Sequence, residues 1–341
     1  MFYGFWEMIQ KIKNFFSHVL DVSINCYTLF IHHIIWFRMN VKNGISNSLM
    51  CLNGKTAIVT GGNSGIGYMT TMLLASRGCR IIIACRRNAE KEINEIKKAT
   101  NNPNITFKHL DLSRFASVRQ FAENIKKEET KLDILINNAG LGYSDDVLTE
   151  DGLDTVMQTN FLGHFLLTHL LMDLLKASDG GRIVFLSSGI AHEHNMSVKN
   201  LYPTIPPTVK SRICNYTNSK GCNILVAQEM AKKVARYGIK VNAADPGVVV
   251  TPIFDILKEP GAHKTALRRL TNLSNFLLAT DLIRAANNPF HVAISEEIVS
   301  GVHYFRCLPF PKLRGLNDKQ FCEEIWRESE KIVQLRPEER L

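Results

Sequence analysis

Lys55-Thr-Ala-Ile-Val-Thr60 runs directly into Gly61-Gly62-Asn63-Ser64-Gly65-Ile66-Gly67, an apolar strand followed by a glycine-rich turn. Helical periodicity then carries from Tyr68 to Arg77, and Gly78 stops it. The same alternation repeats downstream. Strands are expected at Arg80–Cys85, Ile105–Leu110, Leu132–Ile136, Gly181–Ser188, Ile239–Ala244 and Val299–Phe305, with helices over 88–100, 113–127 and 153–177 between them. Strands alternating with helices predict a parallel sheet covered on both faces. The fold class is therefore α/β, a single doubly wound sheet.

Length and composition fit that expectation. The 341 residues, 45% of them hydrophobic, suffice for one large core with extensions, giving a domain over 51–341 behind a distinct segment, 1–50. A net charge of +9 is spread along the chain without a nucleic-acid motif, so no nucleic acid is expected as a partner. The eight cysteines form no Cys-x-x-Cys pair and no His/Cys metal spacing. They read as reduced thiols of a cytosol-facing protein, with no metal site.

Residues 1–50 differ from the rest. Lys and Arg are absent between Lys13 and Arg38, while Phe15, Phe16, Leu20, Ile24, Leu29, Ile34, Ile35 and Trp36 crowd together, enough to form a hydrophobic helix of bilayer length. Asp21 and three histidines oppose a clean span. The segment is read as a membrane anchor, crossing or lying on the bilayer.

In the turn after strand one, Gly61 permits the bend, Gly65 admits a close ligand and Gly67 lets the helix pack on the sheet. Its spacing, Gly-x-x-x-Gly-x-Gly, differs from the common Gly-x-Gly-x-x-Gly dinucleotide fingerprint of Rossmann-type sheets. A pyrophosphate would lie at the helix N-terminus, among free N–H groups. A NAD site places a carboxylate at the end of strand two, but here Ala84-Cys85-Arg86-Arg87 has none. A cation there selects NADP(H), with Arg86 facing the 2′-phosphate and Arg87 as a second contact. The plain alternative for Arg86 is a solvated surface arginine.

Tyr216 and Lys220 stand four residues apart in Asn215-Tyr-Thr-Asn-Ser-Lys220, one helical turn. An ammonium there is expected to draw the phenol below its reference pKa of about 10. Such a group passes a proton to or from an alcohol while a nicotinamide exchanges hydride.

Thr60 to Gly67, Asn137-Asn138-Ala139-Gly140, Asn160, Ser188, Tyr216 with Lys220, and Pro246-Gly247 stand in the order of the short-chain dehydrogenase/reductase family, which the chain resembles from about Leu52 to Leu335. Ala84-Cys85-Arg86, Asp111-Leu112-Ser113, the run from Asn160 to Thr168, and Ser300-Gly301 are similar to the retinol dehydrogenase branch. The resemblance implies cofactor contacts from Gly61, Asn63, Ser64, Gly65, Ile66 and Gly67. It also implies Asp111 and Leu112 beside the adenine, Asn137, Ala139 and Gly140 on the adenosine ribose side, and Pro246, Gly247, Val249 and Thr251 over the nicotinamide. By the same resemblance Ser188 holds the substrate oxygen, Tyr216 is the acid or base, Lys220 binds the nicotinamide ribose, and Asn160 holds a water in the proton path. Ser187 is the competing hydroxyl, and Asn160 could instead mend a helix kink.

Two residues depart from the branch. Tyr68 replaces a basic residue after the glycine turn, and Asp245 replaces a histidine before Pro-Gly. Asp245 is expected to alter the local pocket without touching the proton-transfer groups. Segments 189–214 and 252–280 are expected to select the substrate, the second as a basic amphipathic lid in which Leu267, Leu270 and Leu273 alternate with Lys264, Arg268 and Arg269. With the anchor this favours a lipophilic alcohol or aldehyde, retinoid-like, and a membrane surface as partners. Self-association into a homo-oligomer is left open. The expected location is the endoplasmic reticulum membrane with the catalytic domain facing the cytosol. The competing function is an idle nucleotide-binding scaffold.

Overall fold

The computed structural model describes residues 46, 48–142, 144, 148–205, 209–247, 249 and 280–341. The hydrophobic stretch before residue 38, Thr251 and all of the 252–280 lid except Thr280 lie outside the described residues. Among the described residues, no helix is long and apolar enough to cross a membrane.

Eight strands form one sheet: β1 (Thr56–Thr60), β2 (Arg80–Cys85), β3 (Ile105–His109), β4 (Ile134–Asn137), β5 (Arg182–Leu186), β6 (Lys240–Asp245), β7 (His303–Phe305) and β8 (Leu308–Pro309). Their order is β3-β2-β1-β4-β5-β6-β7-β8, parallel except for the last pair. The buried strands feed two cores because side chains alternate across the sheet. Ile58 and Ile82 join one core with helix α3 (Phe115–Glu128) and helix α5 (Gly163–Leu170), while Ala57, Val59, Ile81 and Ile83 join the other with α1 (Gly65–Ala75) and α2 (Glu90–Thr100). Isoleucine and valine fit this two-sided burial. Strand order reverses between β1 and β4, so a crevice opens where the turns after these strands diverge.

The long helix expected over 153–177 is broken. A first turn, α4 (Thr155–Met157), gives way to a π-helical turn, Gln158–Leu162, before α5, and α6 (Met172–Lys176) follows Leu171. The N–H of Gly163 reaches back five residues to Gln158 O. Helix α7 (Val209–Val234) carries Tyr216 and Lys220.

Two helices had no counterpart in the sequence reading. Helix α8 (Leu282–Ile294) contains Pro289, a residue that ordinarily ends a helix. It persists because Ala285, Phe290, Ala293 and Ile294 are buried against the sheet and α1. Helix α9 (Lys319–Ile332) buries Ile325 and Trp326. The last parallel strand is shorter than expected because Val299 to Gly301 form a turn, Gly301 taking φ +82°.

Candidate active site

The turn after β1 is built around close backbone approaches. Gly61 sits at φ +65°, and a Cβ on Gly67 would lie 2.3 Å from Gly61 O, so only glycine lets α1 start against this turn. Ser64 precedes the helix in extended geometry, its side chain makes no capping bond, and the first turn has no acidic residue. The positive end of α1 is thus left to an outside anion.

Thr60 ties the turn to the neighbouring strand. Its hydroxyl accepts the N–H groups of Asn138 (2.8 Å) and Ala139 (2.9 Å) and meets His164 Nε2 at 2.8 Å. His164 Nδ1 lies 3.1 Å from Asn160 O, a group that can only accept, which assigns the ring proton to Nδ1 and makes Nε2 the acceptor from Thr60. Burial pushes His164 down to about 3, so the ring stays neutral and this arrangement persists at all working pH values.

A cleft of about 720 Å³ opens at the switch point. Gly61, Asn63, Ser64, Gly65, Ile66, Gly67, Arg86, Arg87, Asp111, Leu112, Ala139 and Gly140 all line it. Arg86 and Arg87 are exposed at its rim beyond β2. Asn137 departs from that expectation. It is buried in the core and its Nδ2 donates to Thr168 Oγ1 at 2.9 Å, because the pleat of β4 turns its side chain inward. Tyr68 is directed away from the turn, its hydroxyl donating to Glu95 at 3.3 Å.

At the far end of the cleft, Gly140 leads to the second half of the site. A Cβ there would lie 3.4 Å from Lys220 Nζ and 3.2 Å from Asn160 Oδ1. The Ser188 hydroxyl lies near enough to Tyr216 to favour its ionised form, and Lys220 Nζ lies 5.8 Å from the Tyr216 ring centre. Ser187 is committed elsewhere: it is buried and donates to Lys220 O at 2.9 Å.

Asn160 acts as a clamp. Its Oδ1 accepts Leu141 N at 2.7 Å, and its Nδ2 donates to Leu141 O (2.8 Å) and Ser219 Oγ (3.1 Å). Its main-chain oxygen, released by the π-helical turn, accepts from Asn223 Nδ2 at 3.1 Å as well as from His164. Together these bonds fix the loop after β4 against α7. Thr60, His164 and Asn223 were not singled out from the sequence, since each is an ordinary residue type whose partners are more than 60 residues away or hidden in an irregular turn.

The electrostatics correct one expectation. Tyr216 is raised above the ordinary tyrosine value, first by burial and then by the Asp245 carboxylate, against a smaller opposing effect of the Ser188 bond. Lys220 does not draw it down, because burial lowers the ammonium itself to about 8 and Nζ donates to Leu186 O at 3.2 Å. Asp245 is likewise raised, to about 6, by burial, although the Gly247 N–H, Lys220 and Arg306 oppose this. Its coupling to both Tyr216 and Lys220 overturns the expectation that it leaves the proton-transfer groups untouched. Pro246 and Gly247 follow β6 directly, and Val249 bridges to Thr280. No cluster of three or more metal-ligating side chains occurs among the described residues.

The fold and the cleft at its switch point define a Rossmann-type nucleotide-binding protein. The sequence profile described as short chain dehydrogenase matches residues 55–204. The chain is 36% identical to retinol dehydrogenase 13 from Homo sapiens over 86% of this chain and 89% of that one, and 35% identical to retinol dehydrogenase 12 from Homo sapiens over 86% and 90%. In fold it is similar to the Pseudomonas aeruginosa RhlG/NADP active-site complex, with a TM-score of 0.57 and 24% identity over 75% of this chain and 95% of that one. The chain belongs to the short-chain dehydrogenase/reductase family, in its retinol dehydrogenase branch, and is an oxidoreductase of the kind that uses a nicotinamide cofactor.

Proposed function

We propose that this protein interconverts a lipophilic alcohol and its aldehyde or ketone with NADP(H), using Tyr216 as the proton-transfer group. The observation that carries the reading is the placement of Ser188 and Lys220 around Tyr216, at the end of a cleft whose turn is closed to any residue but glycine at position 67. Gly61 to Gly67 would hold the pyrophosphate, Arg86 and Arg87 the adenosine 2′-phosphate, and Lys220 the nicotinamide ribose. A nicotinamide cofactor bound there supplies the hydride in reduction and accepts it in oxidation.

The chain's own residues handle the proton and the oxygen. Ser188 donates to the substrate oxygen and stabilises the negative charge that grows there as the carbonyl carbon gains its new C–H bond. Tyr216 donates its phenolic proton to that oxygen, leaving a phenolate. Oxidation reverses each transfer, the phenolate taking the alcohol proton. Tyr216 is a phenol at neutral pH and can give its proton, and carbonyl reduction is the main direction when NADPH is in excess.

The absence of a carboxylate after β2 and the exposure of Arg86 and Arg87 at the rim support NADP(H) over NAD(H). The relatives named retinol dehydrogenase support a retinoid-like substrate, and the apolar N-terminal stretch supports a membrane surface as partner, with the endoplasmic reticulum membrane as the proposed location. The test is NADPH oxidation by the detergent-solubilised full chain with all-trans-retinal, a long-chain fatty aldehyde and a steroid ketone. Tyr216→Phe is expected to cut kcat/KM by at least about 10²-fold while NADPH still binds. Full turnover by that variant would falsify the assignment of Tyr216, and no turnover of any carbonyl by the intact protein would favour the scaffold reading.

A further inference from the structure

His164 is wholly buried among phenylalanine and leucine side chains, yet both of its ring nitrogens are bonded, one toward each half of the cleft. Its place on α5 is pinned by Thr168, whose hydroxyl donates to His164 O at 2.8 Å. On the cofactor side, Asn138 Nδ2 donates to Thr60 O at 2.8 Å, and the N–H groups of Asn138 and Ala139 occupy the Thr60 hydroxyl oxygen. That hydroxyl still has its own proton to give. Two acceptors lie in reach, His164 Nε2 at 2.8 Å and Ile136 O at 3.3 Å, and the imidazole is the nearer.

On the other side, His164 Nδ1 meets Asn160 O at 3.1 Å, an oxygen that also accepts from Asn223 Nδ2 at 3.1 Å. Asn223 Nδ2 gives its second proton to Leu186 O at 3.0 Å, and Lys220 Nζ donates to the same oxygen at 3.2 Å. Six bonds thus run from the loop after β4 through Thr60, His164, Asn160, Asn223 and Leu186 to Lys220. No member of the run from Thr60 to Lys220 named in it as a polar side chain is more than 4% exposed, so water does not compete for these bonds and screening is weak.

Only one protonation state satisfies the whole run. A proton on Nε2 would bring a third donor to the Thr60 oxygen, and a bare Nδ1 would face the lone pairs of Asn160 O. A neutral ring carrying its proton on Nδ1 accepts at one corner and donates at the other. Leucine or phenylalanine would fill the same apolar surroundings but would break the run in its middle.

We propose that His164 is a positioning residue that couples the turn after β1 to the proton-transfer helix α7, its Nδ1–H form joining Thr60 to the Asn160–Asn223 pair that holds Leu186 and Lys220. A cofactor that orders the turn then favours the arrangement around Lys220, and by linkage the Lys220 side affects cofactor affinity. His164 touches neither substrate nor cofactor and its proton stays in place. The inference rests on the proposed seating of a nicotinamide cofactor at the glycine turn.

The test uses the full chain in detergent. Thr60→Val and Asn223→Ala are combined in a double-mutant cycle, first with His164 present and then in the His164→Phe background, reading the dissociation constant of NADPH or NADH, whichever binds more tightly, by fluorescence. With His164 present, the double variant is expected to weaken binding at least about threefold less than the product of the two single effects. In the phenylalanine background the two effects should multiply. If that background does not fold, His164→Gln replaces it, since its amide oxygen can meet Thr60 while its bond to Asn160 O is lost. In addition, the ¹⁵N-histidine resonances lost in the substituted protein should show Nδ1 protonated and Nε2 bare, unchanged from about pH 8 to about pH 6.

Effects that multiply in both backgrounds, with a lower melting temperature as the sole result of replacing His164, would show a histidine that only fills the core and would overturn the inference. So would a ring protonated on Nε2 or one that titrates in that interval. If cofactor binds normally and the cycles show no coupling, His164 alone has been misjudged. If the intact protein binds neither nucleotide, the cofactor reading fails and the coupling falls with it.

Discussion

Arg86 and Arg87 leave the end of β2 at the rim of the cleft, and neither forms a described salt bridge, so their charges are available to an anionic ligand. If Arg86 meets a 2′-phosphate, Arg86→Ala should raise the Michaelis constant for NADPH about tenfold or more and change that for NADH by less than about twofold, since a charge-assisted bond contributes about 1.5–3 kcal/mol. Equal effects on the two cofactors would return Arg86 to the role of a surface arginine. At the same scale, the Tyr216–Lys220 spacing marked the pair in the sequence, yet the sign of the tyrosine shift was not legible there. Burial and the approach of Asp245, 29 positions from Tyr216 in the chain, decide it.

The β1–α1 unit shows how an element becomes a binding device. Gly67 lies against Gly61 O and Asn138 Nδ2, both within 2.4 Å of a would-be Cβ. Backbone cannot yield as a flexible side chain would. Gly67→Ala is therefore expected to weaken NADPH binding at least about tenfold and to lower the unfolding free energy by about 1–3 kcal/mol, as measured by fluorescence titration and urea unfolding. Wild-type affinity in that variant would mean that the turn does not seat the cofactor. The π-helical turn at Gln158–Leu162 makes the opposite point about prediction. Its apolar periodicity looked like one continuous helix, because the pattern of Phe161, Phe165 and Leu166 survives the interruption.

Over the whole molecule, buried histidines set the response to acid. Burial lowers His164, His169 and His303 from 6.5 to about 3, 4 and 3, and it also lowers His194 and His291. Below about pH 6.5 the unfolded chain therefore binds more protons than the folded one, and stability falls as pH falls, by up to about 1.4 kcal/mol per pH unit for each fully neutral imidazole. Asp245 and Asp154, both raised by burial, act in the opposite sense because their folded forms hold a proton more readily, but they are two groups against five imidazoles. Melting temperature should be highest near or above about pH 7 and drop by several degrees per unit toward about pH 5. A melting temperature that is flat or rising over that interval would show that these rings are solvated in the folded protein.

Alternating apolar strands and amphipathic helices, the glycine turn after Thr60, and Tyr216 with Lys220 were legible because their physics is local: pleat, helical pitch, close backbone approach and one helical turn of spacing. Those features determined the α/β class, the position of the nucleotide cleft and the candidate proton-transfer residues. The tertiary structure alone decided that Ser187 is bonded to Lys220 O, that Asn137 faces the core, that Asn160 clamps the loop after β4, and that α8 survives its internal proline. It also brought Asp245 beside the tyrosine and lysine. Each of these depends on which distant segments share a buried, weakly screened space, and no local periodicity encodes that.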